Sequence, residues 1–130
     1  MPIVNPPSLA PPRGYSHGIV GRGRTLFVAG QIGWNDRSTL VADTFVEQFD
    51  QALANLITVV TEAGGVPESV ARLTIYVTDK SEYLAARKAV GERYRSRMGS
   101  HYPAMTLVEV KSLLEEGAKV EIEATALIAD

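Results

Sequence analysis

The stretch Val120-Glu121-Ile122-Glu123-Ala124-Thr125-Ala126-Leu127-Ile128 alternates in polarity from its first residue. Successive side chains of a strand point to opposite faces. Val120, Ile122, Ala124 and Ala126 therefore suit a covered face, and Glu121, Glu123, Thr125 and Leu127 the other. A sheet with one apolar face needs a second layer to bury it, and the residues upstream supply one. Phe45, Phe49, Ala52, Leu53, Leu56, Val60 and Ala63 recur at spacings of three and four, which predicts an amphipathic helix. Thr44-x-x-Glu47 reads as its capping box, and Gly64-Gly65 before Pro67 as its stop.

Val70 to Val77 alternates again, with Leu73, Ile75 and Val77 on one side and Arg72, Thr74 and Tyr76 on the other. Asp79-x-x-Glu82 opens a second helix that Gly99 closes, with Tyr83, Ala86, Val90, Tyr94 and Met98 on its buried side. Gly91 inside that helix costs ~1 kcal/mol relative to Ala, and close approach to the sheet is the expected compensation. Ser16 to Val20 and Arg24 to Ile32, separated by Gly21-Arg22-Gly23, predict a hairpin. Met105 to Val110 and 118 to 128 are the last two strands. Residues 1 to 14, with Pro2, Pro6, Pro7, Pro11 and Pro12, predict an extended, mostly irregular arm. The order β-β-α-β-α-β-β points to an α+β fold, one mixed β-sheet with two helices packed on one face, in a single domain spanning 1–130.

Composition narrows the function. The chain has 130 residues, 45% of them apolar, which fits one ordinary globular core. No cysteine is present, so disulfides, thiol nucleophiles and Cys-ligated zinc are excluded. The longest apolar runs, such as Leu26 to Ala29, are far short of the roughly 20 residues a membrane helix needs. The N-terminus lacks the basic and apolar regions of a signal peptide, and the cytoplasm is the expected compartment. A formal charge of −2 disfavours nucleic acid as a partner. His17 and His101 stand far apart in no metal-binding spacing, and surface or capping roles are expected for both. Arg93, Arg95 and Arg97 near a helix end are explained by the helix dipole. No metal or cofactor is indicated.

The opposite face of the sheet is chemically mixed. If Val108 and Val110 join the core, Met105, Leu107 and Glu109 share that face with Glu121. It is then either a half-exposed sheet surface or an intersubunit surface lining clefts where carboxylates meet water or a ligand. The glycines of Ala29-Gly30-Gln31-Ile32-Gly33 mark either a bend or the close approach of a ligand or another backbone.

Gly14-Tyr15-Ser16-His17, Leu26 to Ile32, Gln48 to Leu56, Leu73 to Asp79, Tyr102-Pro103-Ala104 and Val120 to Ala124 occur in that order. The ordered set resembles the Rid family, the YjgF-type reactive-intermediate deaminases also labelled endoribonuclease L-PSP, over almost the whole chain. The resemblance implies a chorismate-mutase-like fold and a homotrimer whose three sheets form a central barrel. It implies small-molecule ligand clefts between subunits, and hydrolysis of enamines or imines without metal or organic cofactor. By the same resemblance, Glu121 positions or activates the attacking water, Tyr15 stands at the cleft entrance, and the backbone of Gly30 approaches the substrate.

The chain departs from the family pattern where the substrate is held. An arginine directly after Pro-Ala pairs with the substrate carboxylate in the family, and here that residue is Met105. A guanidinium makes two parallel charge-assisted hydrogen bonds to a carboxylate, and a thioether makes none. Leu107 stands where the family has a small residue or Cys, and Lys88 replaces an asparagine of the second helix. Met105 and Leu107 make the pocket apolar, suited to a neutral, aromatic or longer aliphatic ligand. Lys88 or Arg72 are the candidate substitute cations. Two functions fit: a Rid-like hydrolase of an enamine, imine or related unsaturated metabolite distinct from 2-imino acids, or a non-catalytic trimeric small-molecule-binding or protein-interaction module.

Overall fold

The computed structural model describes residues 1–130. Its main sheet has four strands: β3 (Arg24–Gln31), β4 (Val70–Val77), β5 (Ala104–Glu109) and β6 (Val120–Ile128). They lie in the order β3-β6-β4-β5, with β4 and β5 parallel and the other pairs antiparallel. The helices α1 (Phe45–Glu62), α2 (Lys80–Ala85) and α3 (Arg87–Met98) form the second layer. The expected mixed sheet with helices on one face is present.

The core follows the periodicities. Phe45, Phe49, Ala52, Leu53, Leu56 and Val60 of α1 are buried against Leu73, Ile75 and Val77 of β4 and Val120, Ile122, Ala124 and Ala126 of β6. Each such side chain contributes roughly 1.5–3 kcal/mol on burial for the larger aliphatic and aromatic types. One buried polar side chain sits among them. Gln48 is 0% exposed. Its Nε2 donates to the carbonyls of Ala42 and Gly117, both at 3.0 Å, and its Oε1 accepts from Lys119 N at 2.8 Å. It ties α1 to the loop before it and to the entrance of β6.

Four local expectations are corrected. The short strand β2 (Gly18–Ile19) pairs with β1 (Ile3–Val4) of the proline-rich arm, not with β3, so the hairpin does not form. The second helix breaks at Ala86 (φ −107°, ψ 12°), and Tyr83 thereby packs edge-on to Phe45 at 6.2 Å while Val90, Tyr94 and Met98 stay in the core. Thr44 makes no side-chain cap hydrogen bond, and the Glu47 carboxylate pairs with Arg93 of α3, so the capping box does not form. Asp79 does cap α2, accepting from Ser81 N at 2.9 Å, and the hydrogen bond from Ser81 Oγ together with this one holds its carboxyl below the usual range. Gly91 does not approach the sheet: a Cβ there would meet only the guanidinium of Arg95.

Strand β5 carries the correction that bears most on function. In the parallel register, Met105 stands beside Leu73 and Leu107 beside Ile75, so both face the helices, with Glu109 in line with them beside Val77. Thr106 and Val108 take the uncovered face with Glu121. Apolar residues occupy both faces of this edge strand, so its composition does not fix which one is covered.

Candidate functional site

Met105 and Leu107 form one wall of a cleft of about 500 Å³ between β5 and α3. The N-terminal arm closes it from the side. Ser16 N donates to the carbonyl of Pro103 at 3.0 Å, Ser16 Oγ donates to that of Tyr102, and Ser16 bridges Ala104 as a short parallel strand contact. His17 fastens the arm further. Its Nε2 donates to the carbonyl of Ala10 at 2.7 Å and its backbone N–H to Asn5 Oδ1 at 2.8 Å. These bonds carry Arg13 and Tyr15 to the cleft. Tyr15 packs edge-on to His17, with ring centroids 5.5 Å apart.

The back of the cleft is aromatic and fixed. Tyr94 and Tyr102 stack at 5.2 Å, and Tyr94 Oη donates to the carbonyl of His101 at 2.6 Å. Burial pushes the Tyr94 phenol well above its usual range, so it stays a donor at neutral pH. His101 Nε2 donates in turn to the carbonyl of Val70 at 2.7 Å. Both histidines thus serve the backbone.

Helix α3 divides its arginines between two tasks. Arg93 and Arg97 face α1, where Asp50 accepts from Arg97 Nε at 2.7 Å and from Arg93 Nη1 at 3.0 Å. The Arg97 bond and charge, with Arg93 beside it, hold the Asp50 carboxyl below the ordinary carboxylate range. Arg87, Gly91 and Arg95, spaced by four, line the cleft instead. Lys88 is exposed and is not part of the lining. Lys88 stands one residue from Arg87, which does line the cleft. The i, i+4, i+8 spacing of Arg87, Gly91 and Arg95 was the available signal.

Glu121 lies on the other face of the sheet. It is paired in register with Tyr76 and makes no hydrogen bond or ion pair, whereas Tyr76 Oη donates to Glu123. That bond, with burial, raises the Tyr76 phenol above its usual range. A register shift between Val28 and Gln31 brings Gly30 beside Glu121. A Cβ at Gly30 would collide with the Glu121 carboxylate. Arg72 is also on this face, beside Phe27 and Glu123, away from Met105. The five sequence-predicted site residues therefore form two groups in one chain: Tyr15, Met105 and Leu107 in the cleft, Gly30 and Glu121 across the sheet. No cluster of three or more His, Asp or Glu side chains forms a metal-binding set.

The profile of the family described as endoribonuclease L-PSP matches residues 6–128. A Yersinia pestis protein described as belonging to the conserved Rid protein family, YyfB, superposes with a TM-score of 0.88 at 35% identity, covering 98% of each chain. This chain belongs to the Rid/YjgF family. Among Rid relatives of known sequence, a RutC family protein of Aquifex aeolicus is 32% identical over 96% of this chain and 97% of its own. A human protein named 2-iminobutanoate/2-iminopropanoate deaminase is 31% identical over 80% of this chain and 73% of its own. The Rid fold of this chain thus carries a free carboxylate on the open sheet face and a basic, aromatic cleft under the helices. No helix is long and apolar enough to cross a membrane.

Proposed function

We propose that this chain is a Rid-type hydrolase that deaminates an enamine or imine distinct from the short 2-imino acids, acting as a homotrimer with its ligand clefts between subunits. The observation that carries it is the Gly30–Glu121 arrangement. A glycine leaves room for a half-buried carboxylate with no partner of its own, next to backbone that a ligand can approach. Such a group can take a proton from water.

The reaction balances without a redox step. Water adds to the carbon of the C=N bond and gives a proton to Glu121, which passes it to the nitrogen. In the resulting carbinolamine Glu121 takes the hydroxyl proton and returns it to the amino nitrogen. The C–N bond then breaks as the C=O bond forms, and ammonia leaves. An enamine first takes a proton at carbon to become the imine.

The trimer reading rests on the same geometry. Tyr15, Met105 and Leu107 face away from Glu121 across the sheet, so a complete site draws on two chains. Phe27, 78% exposed on the uncovered face, supplies apolar surface for such a contact. Met105 favours one alternative, a non-catalytic trimeric module that binds a small molecule.

Glu121→Gln tests the proposal. Imines generated in the assay are followed by semicarbazide trapping and ammonia release, and subunit mass by sedimentation. The expected result is a drop in turnover of about 10²–10⁴-fold with the trimer retained. Unchanged turnover removes Glu121 from the mechanism. Binding without turnover of any imine by the unaltered protein decides for the alternative.

A further inference from the structure

Three arginines, Arg13, Arg87 and Arg95, line the cleft, and no aspartate or glutamate does. The ion pairs of the chain involve Arg24, Arg93, Arg97 and Lys119, so none of the three has a carboxylate within 4.0 Å. The chain as a whole is net negative, yet the only charged residues lining this cleft are positive. Uncompensated like charges around one concave space raise the local concentration of anions.

The position of Arg95 is specific. Its guanidinium lies over Gly91, with Nη1 3.3 Å from where a Cβ would be. The side chain therefore runs back along α3 toward Arg87 while staying exposed to solvent. Arg87 and Arg95 are eight residues apart, about 12 Å along the helix axis. Folding Arg95 over a bare glycine shortens that gap and exposes two planar forks to the same cleft. Opposite them, Met105, Leu107 and Tyr102 offer apolar and aromatic surface with no charge.

We propose that Arg87 and Arg95, assisted by Arg13, form an anion-recognition site that selects ligands with an aromatic or long aliphatic body and a carboxylate remote from the reacting carbon. The body lies on Met105 and the tyrosines, and the carboxylate meets the guanidinium forks. A bidentate Arg–carboxylate pair supplies both energy and orientation. Only the distance of the carboxylate from a reacting carbon rests on the hydrolase reading. The anion site itself stands on the charge and shape of the cleft.

The test is equilibrium binding by calorimetry with 4-phenylbutanoate, its neutral amide and pyruvate. The unaltered protein is expected to bind the phenyl acid at least tenfold more tightly than the amide or pyruvate, with the preference falling as salt rises. The double variant Arg87→Ala/Arg95→Ala loses the acid-over-amide preference. Arg72→Ala, on the other sheet face, keeps it. Both helix positions are exposed, and near-ultraviolet circular dichroism of each variant checks that the fold is intact.

Equal affinity for acid and amide, no detectable binding of either, or a preference that survives the double substitution overturns the inference. The hydrolase reading fails separately. If the acid is selected but no imine is turned over, hydrolysis is lost and the anion site stands. If imines are turned over without acid selection, the reverse holds.

Discussion

The Glu121 carboxylate fills the space that a side chain at Gly30 would need: a Cβ there would lie 2.7 Å from Glu121 Cδ and closer still to Oε2. Two residues 91 positions apart in sequence are thus one steric unit, joined by the β3–β6 pairing. The register shift at Gly30 is where a second backbone or a ligand comes nearest to that carboxylate.

Gly30→Ala should therefore push the Glu121 side chain aside while leaving the core untouched, since Gly30 is exposed. Imine hydrolysis should fall at least tenfold, with a change in melting temperature of only a few degrees. Full activity in this variant would show that the carboxylate's place beside Gly30 does not matter.

Met105→Arg should admit short 2-imino acids. The side chain would enter the cleft beside Leu107 and within reach of a carboxylate next to the reacting carbon. Two charge-assisted hydrogen bonds at roughly 1.5–3 kcal/mol each set the upper range, and a gain of about 10–100-fold in kcat/KM for 2-iminopropanoate is expected. Turnover of this substrate by the unaltered protein at the level of the variant would defeat the argument that a thioether cannot clamp it.

Gln48→Leu should be among the most destabilising single changes. It leaves the carbonyls of Ala42 and Gly117 and the N–H of Lys119 without their partner inside the protein. A cost of about 3–5 kcal/mol follows from leaving buried backbone groups unpaired. Urea unfolding reads this as a lower midpoint with an unchanged slope.

Asp50 sets an acid limit. Because Arg97 and Arg93 lower its carboxyl in the folded state, its contribution is complete above the unfolded value of about 3.9 and is lost as pH falls through the lower folded one. Asp50→Asn should cost about 1–2 kcal/mol near neutral pH, a network of partly exposed pairs being worth more than one. It should also flatten the fall in stability below about pH 4. An identical acid limb in both proteins would dismiss the Asp50 cluster as its origin.

The parts of this fold that were legible in sequence are those with one dominant period. The α1 stripe and the alternation of β4 and β6 each contain enough buried positions to outweigh any single residue, and the helix-on-sheet arrangement followed from them. The break at Ala86 was not legible, since Leu84, Ala85, Ala86 and Arg87 all favour a continuous helix; tertiary packing of Tyr83 on Phe45 accompanies it. Strand β5 was ambiguous because Met105 and Leu107 line a cleft and so are only half-buried, leaving Val108 equally plausible as a core residue. Arg87 and Arg95 were hidden among neighbouring cations. Their spacing of four around Gly91 sets them on one stripe, and the contacts of Arg93 and Arg97 with Asp50 show which arginines of α3 are already engaged. Gly30 and Glu121 entered through family resemblance, and their steric linkage is a property of the folded chain.

Placing the two groups of site residues on opposite sides of one sheet also has a consequence for control. On the proposed reading, a solitary subunit owns two half-sites and no whole one. Dilution below the point of dissociation would then silence the molecule without inhibitor or covalent change. The abundance of the chain, and not only its chemistry, would govern whether it works.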